Sequence, residues 1–133
     1  MDRSGEKAPS LDDFEVMARD AFAALPETFR ALAGDVVFRV ADFPDEDVVR
    51  DMGLESEFDI LGLFHGPELA AYQAGHVHAA QTMIFLYRRP ILDYWAEHDE
   101  PLGDIVRHVL IHEIGHHFGL SDDDMEAIEN AAA

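Results

Sequence analysis

Cysteine is absent from all 133 residues, which excludes disulfides, thiol catalysis and cysteine-based zinc sites. Basic residues are scarce: 9 Lys and Arg stand against 28 Asp and Glu, for a formal charge of −19. Phosphate contacts need Lys and Arg, so nucleic acid and anionic membrane surfaces are disfavoured as partners. Solubility is the simplest role for so acidic a surface, although it would also attract cations or basic peptides. No apolar run approaches membrane-spanning length. Residues Met1 to Leu11 are polar and charged and lack the apolar centre of a secretory signal, so the chain reads as cytoplasmic.

What is present suffices for one folded unit. The chain is 48% hydrophobic, with patterned segments long enough for a single core but not for two. Residues 1–10 read as a flexible leader and 11–133 as one domain.

The chemistry concentrates in one stretch, His112-Glu113-Ile114-Gly115-His116-His117-Phe118-Gly119-Leu120-Ser121-Asp122. It has the form His-Glu-x-x-His-x-x-Gly-x-x-Asp. Two histidines four apart on a helix leave the same face, so their imidazoles can converge on one ion. Glu113 sits beside that ion without binding it, placed to take a proton from a water. Gly119 falls where a left-handed cap would end the helix and turn the chain back. Asp122 can then return a carboxylate as third ligand, leaving the open fourth position that a catalytic zinc needs. With 8 His, a bare His-Glu-x-x-His arises by chance in roughly 4% of such chains. Requiring the Gly and the Asp as well lowers this to roughly 0.03%.

The surroundings suit the motif. Apolar residues at 102, 105, 106, 109, 110 and 114 recur with a helical period, and Pro101 and Asp104 suit a helix start. A helix of about five turns is expected to carry the motif. Upstream, Ser10-Leu11-Asp12-Asp13 offers a cap for a helix to about Leu25, and Glu27 to Leu32 a short second piece. Strands are expected at Asp35–Ala41, Asp59–Gly66 and Thr82–Tyr87. Residues 42–52 read as a loop with a helical turn and 67–80 as a loop. Pro90 opens a helix to about His98, and the tail from Asp123 offers one more short turn.

These features resemble the zincin-like metallopeptidases, in particular the small members described as minimal zincins. The resemblance rests on the His112–Asp122 motif, the segments Asp59–Gly66 and Ile84–Pro90, and the helix leading into the motif. It implies a compact α+β fold, with a small mixed sheet of about three to four strands, a backing helix and a C-terminal active-site helix. It also implies zinc held by His112, His116 and Asp122, with Glu113 as base and a peptide or protein as substrate. The chain departs from larger relatives in two ways. Asp122 stands where a metzincin has a third His, and Met125 leaves little room for a Met-containing turn. No Tyr or His follows His117 to stabilise an oxyanion, so Tyr72, His76, His78 or Tyr94 would have to serve.

Other residues have competing readings. His117 is turned about 100° from the ligand face and should meet solvent or pack. His108 lies one turn before His112, either supporting it from behind or simply at the surface. His65, His76 and His78 could chelate a second ion or remain solvated loop histidines. Asp123 and Asp124 are poorer third ligands than Asp122. Arg88 and Arg89 are expected to pair with the acidic surface. The strand around Gly62 could accept an extended peptide along its edge, or its glycine could serve only packing. Two functions follow: a zinc-dependent peptidase, or a zinc-stabilised module that binds a peptide or protein without turnover.

Overall fold

The computed structural model describes residues 4–66 and 82–132. Ser10 opens the first helix as expected, accepting from the Asp13 backbone while the Asp13 carboxylate accepts from the Ser10 backbone. This reciprocal cap starts α1, Leu11–Ala23, whose Phe14 and Ala18 are buried. The Pro9 carbonyl also accepts from Arg88 Nε at 2.6 Å, which ties the segment before α1 to the fold. Pro26 then starts α2, Glu27–Ala33, where fixed φ and a missing N–H cost nothing.

Three strands form one sheet among the described residues: β1 Val36–Ala41, β2 Gly62–His65 and β3 Thr82–Tyr87. Their order is β1-β3-β2, with β1 parallel and β2 antiparallel to β3. Central β3 turns Thr82, Ile84 and Leu86 into the core and the intervening residues outward. The acidic stretch after β1 holds α3, Glu46–Asp51, a little more than the expected single turn. β2 is shorter than Asp59–Gly66 predicts, because a turn in which Ser56 N donates to Asp59 occupies its first residues. The expected loop at 67–80 lies outside the described residues.

Helices α4, Arg88–Glu97, and α5, Leu102–His117, follow β3 directly. α5 is the spine of the molecule. Ile105, Val106, Val109, Leu110, Ile111 and Ile114 are all buried against α1 and the sheet. Burying each such side chain contributes about 1.5–3 kcal/mol, which fixes the helix that carries the motif. Gly62 lets β2 lie on this helix: a Cβ there would sit 2.7 Å from Val109 Cγ1 and 2.9 Å from the Phe85 carbonyl. Packing therefore accounts for this glycine.

Beyond α5 the chain reverses at Gly119, whose φ is 75°. Leu120 N donates to Gly115 O at 2.9 Å and Gly119 N to His116 O at 3.2 Å, a Schellman closure. Ser121 and Asp124 then form a second reciprocal cap. The tail differs from the single turn expected, because this cap starts an 11-residue helix, α6, Asp122–Ala132. α6 folds back on α5, with Met125 fully buried. A Cβ at Gly115 would lie 2.5 Å from Met125 Sδ, so glycine sets how closely the two helices approach. Met125→Ala should cost about 2–4 kcal/mol in urea denaturation. A loss under about 1 kcal/mol would mean that α6 is not anchored there.

Candidate metal centre

The motif residues occupy the last turns of α5 and the first of α6. His112 and His116 are one turn apart with ring centroids separated by 5.5 Å and planes at 79°. His112 is half-buried and His116 exposed. Burial, with His108 and His116 nearby, pushes the His112 pKa below its ordinary value, against an upward pull from Glu129 and Asp122. A neutral imidazole is the form that binds metal, so this environment prepares a ligand.

Asp122 is the exposed first residue of α6 and acts on His112 through space. Asp124 is engaged with Ser121 in the helix cap, so the cap commits neither Asp122 nor Asp123 of the acidic run. Among the described residues, one group of three potential ligands has donor atoms within 4.8 Å of one another, and it comprises His108, His112 and Glu129. His112 is thus shared between the expected set and an unexpected one. His116 lies near His112, but neither His116 nor the Asp122 carboxylate is part of this converging group.

Glu113 is partly buried, and burial alone raises its carboxyl pKa from 4.5 to about 7. In the metal-free protein this has a measurable consequence. Stability from the protonated carboxyl is fully present below about 4.5 and is lost as pH rises through about 7. Metal-free Glu113→Gln should therefore be more stable than wild type at pH 8, by about 1–2 kcal/mol after allowing for partial exposure. The advantage should vanish near pH 4, as read by urea denaturation across pH. An identical pH slope in both proteins would contradict the buried carboxyl.

The remaining candidates separate cleanly. His117 leaves the ligand face and packs on Phe64 of β2, with centroids 4.3 Å apart. His108 Nδ1 donates to the Glu129 carboxylate at 2.5 Å, and its ring lies beside that of His112. Tyr94 stacks on His98 at 3.7 Å and lines a cavity of about 150 Å³ with His108, at the far end of the histidine row. Tyr72, His76 and His78 lie outside the described residues, while His65 is exposed at the end of β2. Arg88 pairs with Asp42 at 3.1 Å, as the acidic surface predicts, and Arg89 lies over the Phe43 ring. Two residues were not singled out by sequence. Glu129 is brought to the histidines by α6, and Tyr87 feels the charge of Glu113: burial first, then Asp45 and Glu113, raise its pKa.

The chain belongs to the zincin-like metallopeptidase family, whose model matches residues 33–132, from the end of α2 through α6. No curated protein matches the chain. No described helix is long and apolar enough to cross a membrane.

The donor chemistry fits the metal that the family implies. Two imidazoles one turn apart, one of them with its pKa lowered by burial, with carboxylates at hand, form a nitrogen and oxygen set suited to zinc.

Proposed function

We propose that the chain is a zinc-dependent peptidase in which His112, His116 and Asp122 hold the ion and Glu113 is the general base. The observation that supports this best is Glu113. It stands one residue beyond His112, and burial raises its carboxyl to about 7, the range in which a base can both take and return a proton at neutral pH. Zinc, when bound, supplies a Lewis acid that polarises a carbonyl and lowers the pKa of a water. Glu113 accepts the proton of the attacking water and delivers it to the leaving amine, so no acyl-enzyme forms. A merely structural role would not call for a partly buried carboxyl at this position.

Substrate would be an extended peptide. β2 has one edge paired to β3, and it packs on α5 through Gly62 and Val109. Among the described residues no strand pairs with its other edge, to which a peptide could add as a further strand. In this proposal residues 11–133 form one domain behind a leader of 1–10, working in the cytoplasm. The test is exposure of a diverse peptide mixture to zinc-loaded and metal-free protein, with products identified by mass spectrometry. Cleavages made only by the loaded protein support the proposal. No cleavage at all would favour a zinc-stabilised binding module instead.

A further inference from the structure

The geometry points to a second, competing metal position on α5, formed by His108, His112 and Glu129. His108, His112 and His116 follow at four-residue intervals, so their rings make a row along one face of the helix. The row contains two overlapping pairs, and His112 belongs to both. In the pair outside the motif, the His108 and His112 rings lie 3.9 Å apart and only 31° from parallel. Glu129 closes this pair from the opposite helix. Its Oε1 is 2.5 Å from His108 Nδ1 and 3.9 Å from His112 Nε2.

These distances are close to those of a bound ion. Tetrahedral coordination by nitrogen and oxygen sets neighbouring donor atoms about 3.3 Å apart. Shifts of under about 1 Å, opening the His108 contact and closing the His112 one, reach that spacing. The packing holds the carboxylate in place: Met125, one turn before Glu129 on the same face of α6, is buried against Gly115. Two imidazoles and a carboxylate also make up a recognised zinc donor set.

Sharing His112 makes the two positions mutually exclusive. The nitrogen that His112 gives to one ion is withdrawn from the other, so an ion held by His108 and Glu129 is parked about one helical turn out of register with Glu113. This inference rests on His112, His116 and Asp122 being the catalytic set. It makes His108 and Glu129 residues that tune how much bound metal is productively placed.

Zinc stoichiometry measured by chelator competition, with cobalt absorption as a second readout, tests both sets on the full chain. Wild type is expected to hold one equivalent. His116→Ala/Asp122→Asn should still hold one, through His108, His112 and Glu129. Adding His108→Ala and Glu129→Gln to that variant should abolish binding. Absence of zinc from a folded His116→Ala/Asp122→Asn protein would overturn the second position. Two equivalents held at once by wild type would overturn the competition. Loss of all zinc from His108→Ala/Glu129→Gln alone would instead overturn the His112, His116 and Asp122 reading, leaving the second position as the sole site.

Discussion

Glu113→Gln is expected to keep one equivalent of zinc and to lose peptide hydrolysis by about 10²–10⁴-fold. The two outcomes separate because Glu113 adjoins the proposed ligands without being one of them. Gln preserves the size of the side chain and its place on α5, so the proposed donor set of His112, His116 and Asp122 is untouched. What it lacks is a carboxylate able to accept a proton and return it. The same substitution removes a buried acid whose ionised form is costly, so the variant should lose activity while gaining stability in the metal-free state at pH 8. A variant that lost activity only because it was damaged would not become more stable. Full hydrolysis by Glu113→Gln would remove Glu113 from the mechanism.

His112→Ala is expected to lose stoichiometric zinc altogether. It is the one residue common to the motif and to the group with Glu129, so among the described residues neither set survives its removal. His116→Ala and His108→Ala each leave one set of partners. A ligand that binds only the folded state adds about 2.7 kcal/mol at free concentrations 100 times Kd. For a domain of this length that is a shift of roughly 10 °C in Tm. Zinc should therefore raise the Tm of wild type by about that amount and leave His112→Ala unmoved, as followed by thermal denaturation with and without the metal. An equal rise in both proteins would show that zinc binds elsewhere.

Much of this arrangement is legible in the sequence because local signals carry it. The Ser10 cap, the alternation of Thr82 to Tyr87 and the buried stripe of α5 each require only a few neighbouring residues. Gly119 reads as a cap because its position demands a positive φ. α6 is harder to see. Its start is acidic, and its apolar stripe, Met125, Ile128 and Ala132, is short and interrupted by small or polar residues. Ser121 and Asp124 at cap spacing were the available signal for its full length.

Glu129 is a different case. Its proximity to His108 and His112 depends on a reversal at Gly119 followed by close packing of Met125 on Gly115, and only the assembled helix pair reveals it. The direct parallel pairing of β1 with β3, although β2 lies between them in the sequence, is likewise a property of the whole chain. The motif names the metal chemistry, while tertiary packing decides which residues share its histidines.

The central claim, that hydrolysis depends on one ion held at His112, is tested most directly by reconstitution. Metal-free protein would be titrated with zinc while peptide cleavage is followed. Hydrolysis is predicted to be absent at the start and to rise in proportion to added zinc. It should level off at one equivalent, with His112→Ala inert throughout. Cleavage by the metal-free chain, or a rise in activity that His112→Ala reproduces, would contradict it.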